Sequence, residues 1–205
     1  EQRANTENGT LANLQGMQGT LSDIETSFGE PGDSGLQALM SSYWNGWDDV
    51  ANNPSDASAR TALIGTAQSL ATGLNVASSA LGSQWTSSSE SLATTVQQVN
   101  ATAANIASLN KAIVAATGAG NQPNDLMDQR DLLIRQWASS IGATTRTNSD
   151  GSTDVLVGGS NLVSGSTSRQ LQLGGATALD QAGTTPVALS WVDNGLPAYV
   201  TSGQD

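Results

Sequence analysis

Three carboxylates fall within seven residues between Asn124 and Asp131, and no other stretch of the chain is so dense in groups that could do chemistry. The cluster is Asn124, Asp125, Asp128, Arg130 and Asp131. Oxygen ligands at this density could hold a divalent cation, but an EF-hand loop needs alternating ligands, a central glycine and a distal glutamate, and this spacing supplies none of that pattern. The same residues make ordinary sense at the start of a helix. Asn124 or Asp125 can cap the N-terminus, and Asp128 adds negative charge where the helix dipole favours it. Asp131 and Arg135 stand four apart and can pair for roughly 0.3 kcal/mol, leaving Arg130 to tie down a loop or a neighbouring helix. The cluster therefore reads as a structural motif, with no metal and no cofactor.

The remaining reactive groups lack partners. The chain has no cysteine and no histidine, which removes disulfides, thiolate chemistry and the commonest general base near neutral pH. Serines and threonines are plentiful but have no imidazole to activate them. Lys111, the only lysine, sits on a polar helix position beside Asn110. Asp150, Asp154, Asp180 and Asp193 fall in predicted turns, where aspartate is common for turn reasons alone; a glycosidase needs two carboxyls facing each other across a cleft. Gly158-Gly159 and Gly174-Gly175 lack the lysine and spacing of a phosphate loop. Asn100-Ala101-Thr102 formally fits a glycosylation acceptor but lies on a predicted helix. Nothing here reads as an enzyme.

With a net charge of −11 and seven scattered basic residues, the chain has no basic stripe to displace phosphate counterions and would be repelled by an anionic membrane. No apolar run approaches the eighteen or so residues a membrane span needs, and the first ten residues lack the basic and apolar regions of a secretory signal.

The elements that must position these groups follow from periodicity. Leu11, Leu14, Met17, Leu21, Ile24 and Phe28 recur every three or four residues, predicting an amphipathic helix over 4–28 that ends at the Gly29–Gly32 breaker. Leu36, Leu39, Met40, Tyr43, Trp44 and Trp47 predict a second helix. Its aromatics are expected to lock it onto the next helix as core; a sugar-stacking or partner-binding platform is the other reading. Ser55 or Asp56 then caps a helix that runs toward Ala116. Its apolar line passes through Leu63, Ala67, Leu70, Leu74, Ala77, Leu81, Trp85, Ser88, Leu92, Val96, Val99, Ala103, Ile106, Asn110 and Ile113, about 3.57 residues per step. That exceeds the 3.5 of a strict heptad and predicts a nearly straight rod, roughly 90 Å long at 1.5 Å per residue, with Gly82 as the point where it could break in two. Gly118 and Gly120 end it, Pro123 or Asn124 begins the next helix, and Leu126, Leu133, Ile134, Trp137 and Ile141 give that helix its apolar face.

From Gly142 the period changes. Thr144–Thr147 and Thr153–Val157 read as strands around an Asp150-Gly151 turn. Gly158 to Asn161 reads as another turn, and 170–173, 187–192 and 198–201 as further strands, the last two joined at Asp193-Asn194-Gly195. The fold expected is α+β: an elongated antiparallel helical bundle with a long central helix over 1–142, then a small antiparallel β-rich domain over 143–205.

Three stretches in order carry a family resemblance: NNPSDASARTALIGTAQSLATGLNVASSALG, then VNATAANIASLNKAI, then NDLMDQRDLL after a short glycine loop. Together they resemble the bacterial flagellar hook-associated protein 1 family, from about Leu21 to Val163. The resemblance implies a structural subunit at the hook–filament junction, needed for filament assembly and located in the extracellular flagellum after export through its channel. It implies as partners identical subunits in a ring, the hook protein, the second junction protein, and an export chaperone acting through a C-terminal segment missing here. It marks the Asn124–Asp131 motif as a helical-domain signature and suggests a core fragment without the terminal helices, monomeric in dilute solution. The competing class is a secreted glycan-binding or adhesive module that uses the β domain, with Trp191 and Tyr199 as its aromatics.

Overall fold

Glycine and aspartate punctuate the helices where the periodicity breaks. The computed structural model describes residues 2–30, 32 and 35–198. Helix α1 spans Gln2–Ser27, α2 Leu36–Asn52, α3 Ala57–Gly118 and α4 Asn124–Ile141. Of the two cap candidates before α3, Asp56 acts: its Oδ1 accepts the Ser58 N–H at 2.7 Å. Gly82 leaves α3 whole, as one helix of 62 residues. At the far end the Gly120 N–H reaches the Thr117 carbonyl and the Asn121 N–H the Ala116 carbonyl, at 2.9 and 3.0 Å. These are the paired bonds of a Schellman stop. They need a left-handed residue, and Gly120, with φ +82°, supplies it.

The first predicted hairpin forms as expected. Strand β1 is Thr144–Thr147 and β2 is Thr153–Val157, paired from Thr144↔Leu156 to Thr147↔Thr153. The next segment differs. Only Gly158 and Gly159 turn, at φ +54° and +75°, because a two-residue hairpin needs left-handed residues that match strand twist. Pairing therefore resumes at once in β3 (Ser160–Ser164), followed by the short β4 (Thr167–Ser168). The four strands form one antiparallel sheet in sequence order, and β5 (Leu171–Gly174) pairs with β6 (Ala188–Trp191) in a second sheet. A bulge falls at the β2–β3 pairing, where Val155 faces Val163 but Leu156 faces Asn161. The extra residue lets the consecutive Leu162 and Val163 both be fully buried, which regular alternation forbids. Of the strand expected over 198–201, Ala198 donates to the Leu189 carbonyl, while Tyr199, Val200 and Thr201 lie outside the described residues.

Two compact units result, one from residues 17–88, the other from 1–16 and 89–205. In the second, one hydrophobic core joins Val96, Val99, Ala103, Ile106 and Ala107 of α3 to Trp137 of α4 and to Val155, Val157, Leu162, Val163, Leu171 and Trp191 of the strands. In the first, α2 comes close to α3 through glycines. A Cβ on Gly46 would sit 3.3 Å from Leu63 Cδ1, and one on Gly73 only 2.5 Å from Leu39 Cδ1. The apolar line expected along α3 is corrected here: Leu74 is 51% exposed and Leu92 is exposed too. Leu39 packs over Gly73, so the covered line passes through Leu70, Gly73 and Ala77 instead.

Candidate functional site

The polar groups with the tightest geometry lie where α3 and α4 meet the strands. Arg130 is the buried member of the predicted cluster; Asn124, Asp125 and Asp128 are exposed and Asp131 is half-buried. The Arg130 guanidinium donates through Nη1 to the Gly151 carbonyl at 2.7 Å and through Nε to Asp131 Oδ1 at 3.0 Å. The pair expected between Asp131 and Arg135 is replaced by this neighbour contact, Arg130 Nη2 lying 2.9 Å from Asp131 Oδ1. Gly151 itself is seated against Ile113, Met127 and Thr117, all within about 4 Å of where its Cβ would be. Arg130 thus ties the β1–β2 turn down onto the helices. Helix α4 starts at Asn124, one of the two predicted positions, and the Pro123 carbonyl accepts the Leu126 and Met127 N–H groups.

Two asparagines on α3 do more than periodicity suggested. Asn110, a member of the predicted apolar line, is 0% exposed. Its Nδ2 donates to the Thr153 and Gly165 carbonyls, each at 2.8 Å, and its Oδ1 accepts the Thr153 N–H at 3.0 Å. Asn100, set aside as a formal glycosylation acceptor, repeats the pattern on β5: Nδ2 donates to the Leu171 carbonyl and Oδ1 accepts the Leu171 N–H, both at 2.8 Å. For Asn110 its place in an apolar line was the available signal, because a buried amide must find partners for both its ends; Asn100, outside that line, carried none.

Behind Asn110, Asp154 is only 2% exposed. Its carboxylate accepts from Arg146 at 2.7 Å, Asn148 at 2.9 Å and the Gly165 N–H at 2.8 Å. Burial pushes this carboxyl up, yet the Arg146, Gly165 and Asn148 donors outweigh it and hold it below the usual carboxylate range. Asp150 is likewise lowered, chiefly by the Ser152 hydroxyl that donates to it at 2.6 Å. Asp150 and Asp154 therefore serve the hairpin: Asp150 accepts from Ser152 in the β1–β2 turn, while Asp154 lies on β2, not in a turn, and spends its oxygens on Arg146, Asn148 and Gly165.

At the second sheet, Arg169 clamps Asp193 with two bonds of 2.7 and 2.8 Å, and its guanidinium lies 4.0 Å above the Trp191 ring. The Asp193 carboxyl is lowered by that arginine. Trp191 is 3% exposed, so its face is occupied and cannot stack on a sugar. This removes the aromatic on which a glycan-binding β domain would rest; Tyr199 is outside the described residues.

The aromatics of α2 also depart from expectation. Tyr43 is half-buried and contacts Trp44 and Trp47 edge-on at ring separations of 5.5 and 6.4 Å. Trp44 and Trp47, however, are 60% and 47% exposed, so they are not core. The apolar arc of α2 is wider than the face α3 covers. Leu36, Leu39, Tyr43, Gly46 and Val50 take the covered side, and the tryptophans flank it.

Comparison with known proteins bears on this arrangement. The model of the "Flagellar hook-associated protein FlgK helical domain" matches residues 21–204. The chain is 35% identical over 131 residues to flagellar hook-associated protein 1 of Bacillus subtilis, covering 64% of this chain and 26% of that protein. It is 32% identical over 163 residues to the Salmonella typhimurium protein of the same name, covering 78% and 29%. Among solved structures it superposes on the flagellar hook junction protein FlgK from Burkholderia pseudomallei with a TM-score of 0.72 and 29% identity, over 93% of this chain and 32% of that one.

Proposed function

The chain belongs to the flagellar hook-associated protein 1 family, and from that premise we propose that it is part of a structural subunit at the junction between flagellar hook and filament, required for filament assembly. The observation that carries this reading is the helical-domain match across residues 21–204. The chain spans 26% to 29% of the length of these curated relatives, so the partners proposed belong to the longer protein. They are identical subunits in a ring, the hook protein, the second junction protein, and an export chaperone engaged through a segment outside this chain. The location is the extracellular flagellum. Among the described residues, no helix is long and apolar enough to cross a membrane.

The mechanism is mechanical. The helical part packs along its neighbours, and the β-rich part is braced on it through hydrogen bonds that fix direction. The exposed Trp44 and Trp47 offer a neighbour apolar area. The change of period at Gly142 divides the longer chain's helical region, 1–142, from its β-rich region, 143–205. Asn124, Asp125, Asp128, Arg130 and Asp131 act as a structural motif, centred on the Arg130 bond to the β1–β2 turn. No catalytic role is assigned to any residue.

Deleting the gene tests the reading. Cells should keep hooks, lose filaments and release unpolymerised flagellin into the medium; normal filaments and swimming would refute it. The 205-residue chain alone should be monomeric by light scattering in dilute solution, and a stable ring would overturn that part.

A further inference from the structure

We infer that Asn100 and Asn110 are the positioning residues that set the register of both sheets on α3, each side-chain amide standing in for one residue of a neighbouring strand. The inference deepens the junction reading, in which the β-rich part must sit on the helix in one orientation. Leu171 is not hydrogen-bonded to its partner Trp191; across the pair the bond runs from the Val192 N–H to the Gln170 carbonyl. The Leu171 N–H and C=O therefore point to the open edge of β5, and Asn100 accepts from one and donates to the other. Thr153 is in the same position on β2. Pairing with β3 reaches only Val155↔Val163, so the next backbone groups would be left without a partner, and Asn110 supplies both bonds. Its second proton reaches Gly165 in the β3–β4 turn.

A carboxamide presents an N–H and a C=O on the same side, as a single strand residue presents its own, so it can close an edge as a strand would. The apolar core cannot do this work. Burial is non-directional, and Val96, Val99, Ala103, Ile106 and Ala107 on the α3 face under the strands carry no side-chain hydrogen-bonding group with which to fix a strand's backbone. Ten residues separate the asparagines, about 15 Å along the helix. Displacing either sheet by one turn would strand the backbone groups of Leu171 or Thr153 in a buried place, where unpaired donors and acceptors are costly.

The test is residue-resolved amide hydrogen exchange on the full-length protein carrying Asn100→Ala, Asn100→Gln or Asn110→Ala, with urea unfolding in parallel. In Asn100→Ala the Leu171 amide should exchange at least tenfold faster while Val155 and Val163 keep their protection. Asn110→Ala should do the same to Thr153. Asn100→Gln carries the same groups one methylene too far and should fail to restore Leu171. Wild-type protection at Leu171 and Thr153 in the alanine variants would overturn the inference, as would an equal loss over every strand, which marks general destabilisation. If Asn110→Ala does not fold, the half-buried Asn100 still decides the matter. Exchange is read without a flagellum, so its failure is separate from failure of the gene-deletion test.

Discussion

Helix α3 passes through two settings that share its composition and differ in what covers it. Between residues 96 and 113 it lies under strands and α4, and Val96, Val99, Ala103, Ile106, Ala107, Asn110 and Ile113 are all buried. Between 57 and 88 its companions are helices, only Ala77 reaches full burial, and α2 buries none of its residues. A helix touching another helix through glycine and alanine covers a narrow stripe, whereas a sheet covers a broad one. The contrast teaches that small-residue helices do not make a core by themselves; the width of the covering layer decides.

The largest test of that contrast is a pair of truncations. Ile106→Ala, at a fully buried site, should cost about 3 kcal/mol in urea unfolding, whereas Leu74→Ala should cost less than ~0.5 kcal/mol. Equal costs would show that the helical unit is covered in solution, and would break the comparison. Next in size, Arg130→Met leaves the Gly151 carbonyl unpaired and should lose about 2 kcal/mol, while Asp131→Asn, at a half-exposed ion pair, should lose under ~1 kcal/mol. A third pair sharpens the picture within the helical unit. Gly65→Ala meets nothing within 4 Å and should stabilise α3 by roughly 0.5–1 kcal/mol. Gly73→Ala drives a methyl against Leu39 and should give none of that gain, as thermal unfolding can show.

The smallest effect is in pH. With no histidine, stability should stay flat from about pH 8 to 5. Asp154, Asp150 and Asp193 bind protons less readily folded than unfolded. Their contribution is therefore present above the ordinary carboxylate range near pH 4 and lost as pH falls through it toward the lowered folded values. The loss should appear first as faster exchange of the Gly165 amide, and Asp154→Asn should blunt it. An acid response unchanged in that variant would assign the effect elsewhere.

Much of the fold was legible because it rests on local rules. Asp56, Gly120 and the Asp150-Gly151 turn mark their boundaries by the chemistry of caps and left-handed residues, and β1 and β2 form where alternation and turn place them. The tight Gly158-Gly159 hairpin was harder. Gly-Gly serves a long loop or a two-residue turn equally well, and only the pairing of β3 with β2 chooses. Trp44 and Trp47 misled for a related reason: hydrophobicity says what would gain from burial, not whether anything is there to bury it.

By itself the sequence determined the helices, their ends, the first hairpin, the absence of histidine and cysteine chemistry, and the ordered motifs that place the chain in its family. Tertiary structure alone decided which asparagines matter. Asn110 at least stood in the apolar line, but nothing in the sequence separates Asn100 from Asn105, and only Asn100 of that pair meets an open strand edge. A carboxamide gains its role from the backbone groups that approach it, and those come from more than forty residues away in the chain.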